Sequence, residues 1–208
     1  MARSRHKNKV IEQALSHAEA CGWRIEPASP EGAVKMAEYE FTLKFSVAEH
    51  LAQDVIEDKL FEAGCDDALI GVGTKGRLAL AFSREGDSAN QAIISAITDV
   101  NRAIPDARLI EAEPDLVGVT DIAEMFGFTR QNMRKLLQTH VNSFPLPLHE
   151  GRAALWHLAD VLEWFETYRD QSTSPASKET AQFTMRLNIA RDVQRVPVDD
   201  LQQLVASL

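Results

Sequence analysis

Cysteine is nearly absent. The 208 residues contain two, Cys21 and Cys65, too few for a disulfide framework or for a zinc site of their own. Long apolar runs are missing altogether, which excludes a membrane-spanning helix. The basic opening MARSRHKNKVIEQAL lacks the apolar stretch and small-residue cleavage site of a secretory signal. Positive charge is in the minority, 22 Lys and Arg against 31 Asp and Glu, a net charge of −9 that argues weakly against a nucleic-acid binder. What is present is ordinary: 45% hydrophobic and 25% charged residues, a composition that can bury a core and does not leave the chain disordered. Length allows one large domain or two small ones, and the expectation is a reduced, cytoplasmic protein without a membrane partner.

The charge is unevenly placed. Residues 1–24 carry +3, residues 38–113 carry −8, and residues 114–169 carry −2. A basic surface confined to one element is therefore compatible with the acidic total.

Periodicity divides the chain. Residues 5–21 read as a basic helix, with Val10, Ile11, Ala14, Leu15 and Ala18 on one face, so 1–25 is taken as an N-terminal helix. EPASPEGAVK begins a linker over 26–37. At Tyr39 the period changes to two, with Phe41, Leu43 and Phe45 following in alternation, the pattern of a half-buried strand. A helix over about 50–63 is expected to turn Leu51, Val55, Ile56, Lys59, Leu60 and Ala63 to one side and to end at Gly64. ALIGV (68–72) and RLALAF (77–82) form a hairpin around GTKG. A helix over 88–103 buries Ala92, Ile93, Ala96, Ile97 and Val100, and ARLIEA (107–112) is a last strand. The order β-α-β-β-α-β over 38–113 predicts an α+β domain of ferredoxin-like arrangement, a fold that by itself says little about activity. Its acidic residues Glu57, Asp58, Glu62, Asp66 and Asp67 read as solvated surface, or as a docking surface for a basic partner.

Pro114 opens a second domain over 114–169, and residues 170–208 form a linker, DQSTSPAS, with C-terminal helical pieces at about 179–193 and 198–207. These pieces have no core of their own and are expected to pack on the body or on a second subunit. The functional signal lies in VTDIAEMFGFTRQNMRKLLQTH, 119–140. Thr120 is expected to cap a helix over 121–126, Gly127 to make the turn, Phe128 to fill the gap between helices and Thr129 to cap a second helix. Met133, Leu136 and Leu137 share that helix's buried face, and Arg130, Gln131, Asn132, Arg134, Lys135 and Gln138 its opposite face. Arg matches guanine O6/N7, Asn and Gln match adenine, and Lys anchors phosphate, so these residue types suit a helix in a major groove. FPLPL (144–148) and AALWH (153–157) around HEGR predict a two-stranded wing with Arg152 at its tip, followed by a closing helix that buries Leu158, Val161, Leu162 and Phe165.

These elements make the segment 117–168 resemble the winged helix-turn-helix of AlpA-like, excisionase and MerR-type DNA-binding proteins. The motifs that carry it are TDIAEMFGFTRQNMRKLL, the Phe-Pro pair and the LADVLEWF closing helix. The resemblance implies DNA-facing roles for Thr129, Arg130, Gln131, Asn132, Arg134, Lys135 and Gln138, with Arg152 on the wing. One departure weakens the wing: HEGRAALW has one Arg and a Glu where those families carry several basic residues. RSRHKNKVIEQALSHAEACGWRIE (3–26) resembles the opening helix of HicA-like small toxins. No histidine lies between Trp23 and His50, so that resemblance implies a fragment without the family's catalytic histidine. Read from its residues alone, the segment is a basic amphipathic helix of no special ancestry, and both readings stand. Residues 38–169 are similar to the antitoxin partner of such pairs, which implies a small basic toxin protein as partner.

No histidine, cysteine or carboxylate spacing suggests a metal site, GVGTKG lacks the spacing of a phosphate loop, and no nucleophile context is legible. The expectation is a DNA-binding, non-enzymatic, cofactor-free homodimer on an inverted repeat of double-stranded DNA. Two alternatives stand beside it: a regulator whose ferredoxin-like domain senses a small molecule, and an interaction adaptor that has lost DNA binding.

Overall fold

The computed structural model describes residues 36–71, 74–197, 200 and 205–207. The expected N-terminal helix, most of the linker after it, the toxin-like stretch, Gly73 of the hairpin turn and most of the last helical piece (198–207) lie outside the described residues.

Alternation builds the first strand. β1 (Ala37–Ser46) buries Tyr39, Phe41, Leu43 and Phe45 and turns Glu38 and Glu40 outward. α1 (Gln53–Glu62) follows, then β2 (Ala68–Gly71), β3 (Arg77–Gly86), α2 (Ala89–Ala103) and β4 (Arg108–Glu113). The four strands form one sheet in the order β2-β3-β1-β4, every neighbouring pair antiparallel. β3 runs on to Gly86, past the expected end at residue 82, because a ten-residue ladder pairs it with all of β1. α2 buries Ala92, Ile93, Ala96, Ile97 and Val100 as the spacing predicts, and Ser88 Oγ caps it by accepting from Gln91 N. α1 differs from expectation: only Ile56 and Leu60 are buried, and Val55 and Lys59 face solvent. A helix of ten residues reaches the sheet with a single narrow stripe, so positions one residue off that stripe stay wet.

The second half starts with β5 (Leu116–Val117) and α3 (Val119–Met125), followed by α4 (Arg130–Thr139), β6 (Trp156–His157), α5 (Leu158–Arg169) and α6 (Pro175–Val193). The fold is thus α+β, with a four-stranded antiparallel sheet and six helices among the described residues. Two separate cores result. One surrounds Leu43, Phe45, Leu80, Ile93 and Val100, and the other Ile122, Met133, Trp156, Val161 and Phe165.

α6 joins them. Ala176, Phe183 and Leu187 pack on the first core, and Ala181 and Met185 on the second. Between these runs a buried polar stripe, Thr180, Thr184 and Asn188. Asn188 Nδ2 donates to Ala112 O (2.8 Å) and to Asp115 Oδ2 (2.7 Å), and its Oδ1 accepts from Ala112 N (2.9 Å), so the amide serves the edge of β4 as a neighbouring strand would. Thr184 Oγ1 donates to Pro114 O, and Asp115 Oδ1 meets His157 Nδ1 at 2.6 Å. Of the two expected packings for this tail helix, the one on the body is realised. The expected linker 170–177 is shorter than its composition suggests. Ser174 caps α6 by accepting from Ser177 N, and Pro175 sits at the first helical position, where its missing N–H costs nothing.

Two buried acids of the first core give a pH test. Burial first, then the hydrogen bond to Glu179, pushes the Tyr39 phenol up to about 12; burial first, then Asp99, pushes the Cys65 thiol up to about 11. Both are raised above their ordinary values of 10.0 and 9.0, so each holds the fold with its proton on. That stabilisation is complete below the ordinary values and is lost as pH climbs through the raised ones. The urea midpoint of the wild type is therefore expected to fall across pH 9 to 12, and Tyr39→Phe to flatten the upper part of that fall. Parallel pH profiles of wild type and variant would exclude this account.

Candidate functional site

The sharpest local construction in the second half is the pair α3 and α4 with the turn between them. Gly127 has φ +70, a conformation that side chains bearing a Cβ rarely adopt, and this lets the chain reverse within a few residues. The caps are partly as expected. Thr129 Oγ1 accepts from Asn132 N at 3.1 Å and starts α4. α3, however, begins two residues before the expected start. Gly118 stands at its N-cap, and Asp121 Oδ2 reaches back to accept Gly118 N–H at 2.7 Å, which leaves Thr120 inside the helix and not at its cap. The carboxylate at the third helical position accepts the N-cap's own N–H, one half of a capping box, and glycine has no side chain to supply the other half.

Packing fixes which way α4 faces. Met133 is fully buried and Leu136 and Leu137 are half-buried, against Ile122 and Ala123 of α3 and Phe165 of α5. Phe126 stacks on Phe165, and Phe128 meets the same ring at 6.2 Å. With that stripe inward, Thr129, Arg130, Gln131, Asn132, Arg134, Lys135 and Gln138 are all exposed, as is Arg152. Among the described residues none of Arg130, Arg134, Lys135 or Arg152 makes an ion pair. The outer face of α4 thus presents three cations and three amide side chains, with no carboxylate on the helix itself. Asp121 and Glu124, also exposed, belong to α3.

The expected wing is corrected. Residues 144–148 and 153–157 do not form a two-stranded hairpin. One isolated bridge, His149 to Leu155, closes the loop, and β6 pairs with β5, Leu116 to His157 and Val117 to Trp156. Pro145 and Pro147 lack N–H groups and cannot extend a ladder, so the strand turns to the partner that can. Arg152 sits on this loop and not on α4.

Sequence reading also missed a cluster in the first core. Asp67, taken as solvated surface, accepts two hydrogen bonds from Arg84, Nε to Oδ2 at 2.6 Å and Nη2 to Oδ1 at 2.9 Å. Arg84 Nη1 donates to Asp99 Oδ2 at 2.9 Å and to Ser95 Oγ, and the guanidinium lies 5.1 Å from the Phe82 ring centre. Arg84 is 9% exposed and its carboxylate partners hold it firmly protonated. Its place at an inward position of β3 was the available signal: a charge where the alternation asks for an apolar side chain needs a buried partner. The arrangement ties the segment between α1 and β2, through Gly64 O and Asp67, to β3 and α2, and every donor nitrogen of the guanidinium is engaged within it. Among the described residues no three His, Cys, Asp or Glu side chains are placed to share a metal ion, and no helix is long and apolar enough to cross a membrane.

Comparison of the chain with protein-family models, with curated proteins and with solved structures finds no match.

Proposed function

We propose that this protein is a sequence-specific DNA-binding transcriptional regulator, in which α4 enters the major groove of a duplex. The observation that carries the reading is the outer face of α4, where six polar or cationic side chains are exposed with no ion-pair partner among the described residues. Exposed arginines and lysine without local counter-charges form an electrostatic surface for phosphate, and the amides between them can read base edges. On this reading α3, α4 and α5 are a helix-turn-helix with its closing helix, and the loop around Arg152 is a reduced wing. The strand order β2-β3-β1-β4 supports a ferredoxin-like assignment for the first half.

The same reading makes the protein a homodimer on an inverted repeat, because one ten-residue helix covers only a half-site. It is of antitoxin type and represses its own operon. The sheet face that the helices leave open supports a basic protein partner: it carries Glu38, Glu40, Glu85, Glu111 and Glu113 against Lys44, Arg77 and Arg108, a net negative charge, with Lys44 held between Glu111 and Glu113. An acidic face of this kind is repelled by DNA and is available to a small cationic protein such as a toxin.

The test is selection of duplexes from a random-sequence pool by the full-length protein, followed by titration at graded salt. Arg130→Ala is expected to cost roughly 1–3 kcal/mol on the selected site and to relax preference at one base pair. Lys135→Ala is expected to weaken all duplexes alike and to lower the salt slope by about one. A protein that selects no sequence and binds no duplex at low salt would refute the assignment.

A further inference from the structure

Strand register sorts the side chains on the open face of the sheet into rows. Glu38 stands beside Glu85 in the first row and Glu40 beside Ser83 in the second. The third holds Leu69, Ala81 and Thr42, with Glu113 at the β4 edge, and the fourth Gly71, Ala79 and Lys44, with Glu111. Arg77, Ser46 and Arg108 make the last. Charge is therefore divided along the strands. The first two rows carry carboxylates and no cation, and the last carries two guanidiniums and no carboxylate. Between them Lys44 is already engaged by Glu111 and Glu113.

The two ends cannot neutralise each other within one copy. From Glu38 to Ser46 the strand runs about 26 Å, several times the Debye length of about 8 Å at physiological salt. Glu38, Glu85, Arg77 and Arg108 are all exposed, and neither arginine makes an ion pair among the described residues. The centre suits close approach: Thr42, Ala79, Ala81 and Gly71 are small, and Leu69 stands beside them at 80% exposure. An apolar middle between ends of opposite charge is complementary to itself.

We propose that this face is the contact between two copies of the chain, related by a two-fold axis that crosses the strands at the third row. Such an axis turns the second sheet over and reverses its strands. It sets Arg77 and Arg108 of each copy over the Glu38 and Glu85 end of the other, and Leu69 over its own equivalent. A two-fold parallel to the strands would stack like charges, so the charge pattern selects one of the two face-to-face arrangements. Packed sheets lie about 10 Å apart, a gap that facing Arg and Glu side chains span. The face offers on the order of 1,000 Å² across both copies, the lower end of a specific interface, so the contact is reversible. It supplies the two-fold that an inverted repeat requires, and it is inferred without reference to α4. A basic partner protein would meet the same glutamates, so the two occupants exclude each other.

The measurement is sedimentation equilibrium of the full-length chain without DNA, at micromolar concentrations and graded salt. Wild type is expected to be a dimer at low salt and to dissociate as salt is raised. Arg77→Glu with Arg108→Glu makes both ends of the face acidic, and Glu38→Arg with Glu85→Arg makes both basic. Each double variant alone is expected to dimerise about tenfold or more weakly than wild type. Mixed one to one, the two are expected to form a heterodimer about as tight as the wild-type dimer, since every acidic end then meets a basic one. Arg77→Glu by itself leaves its end neutral and is expected to weaken the dimer only about a few-fold, because exposed pairs contribute little singly. All four side chains are exposed, so the variants keep the fold, and recovery on mixing would prove it. A wild type that stays monomeric overturns the proposal and leaves the glutamates to a basic partner. Double variants that each dimerise as wild type does place the contact elsewhere, and a mixture that stays monomeric denies the pairing of opposite ends; either result overturns it too. None of these outcomes bears on duplex binding by α4, and failure to bind any duplex would leave the dimer standing.

Discussion

Reversing two charges on the outer face of α4, with Arg134→Glu and Lys135→Glu combined, is expected to weaken binding to a selected duplex by about a hundredfold or more while leaving thermal unfolding unchanged. Both residues are exposed and neither makes an ion pair among the described residues, so the folded state has little to lose from the change. The complex loses two favourable contacts and gains two repulsive ones. Overall charge cannot account for the affinity, because the chain is already at −9. Lys75→Glu with Arg77→Glu, on the exposed turn before β3 and at the exposed first residue of β3, makes the same change in net charge and is the control. It is expected to alter affinity only a few-fold, since exposed charges more than a Debye length of about 8 Å away are screened. Equal losses for the two double variants, measured by titration at physiological salt, would show a diffuse electrostatic effect and remove α4 from its assigned role.

The largest effect on stability is expected at Arg84. Truncation to Ala removes the bidentate partner of Asp67 and one of the two partners of Asp99, and leaves Asp67 mostly buried without a counter-charge and Asp99 with the exposed Arg102 alone, 3.2 Å away. Breaking a buried pair in this way typically costs about 3–5 kcal/mol, far more than the pair's net contribution relative to an apolar replacement. For a chain of this size that corresponds to a fall in Tm on the order of 10 °C. Arg84→Lys is expected to recover only part of the loss, since an ammonium cannot fork across both oxygens of Asp67 while reaching Asp99. Calorimetry on the three proteins settles the point. A loss below about 1 kcal/mol for Arg84→Ala would show that solvent screens this cluster as it does a surface pair.

Legibility followed the range of the interaction. The alternation of Tyr39, Phe41, Leu43 and Phe45 announced β1, and the 3.6-residue spacing from Ala92 to Val100 announced α2. Gly127 and Thr129 located the turn and the start of α4, because positive φ and a capping hydroxyl act within three residues. The same local rules failed where two candidates competed. Thr120 looked the better cap, yet Asp121 reaching back to Gly118 made the cap two residues earlier.

By itself, the sequence determined the period of each main strand and helix, and therefore which side chains of α4 point inward and which are left for a partner. Hydrophobic burial imposes a repeat, and a repeat is visible in a string of letters. Only the tertiary structure decided that β6 pairs with β5 in place of a wing strand, that Arg84 holds Asp67 and Asp99, and that Asn188 on α6 meets both Ala112 and Asp115. These are single polar contacts, some between residues more than seventy positions apart, as with Asn188 and Ala112. A hydrogen bond is satisfied by one donor and one acceptor in the right place, so it leaves no periodic trace, and its partner is found only once the chain has folded.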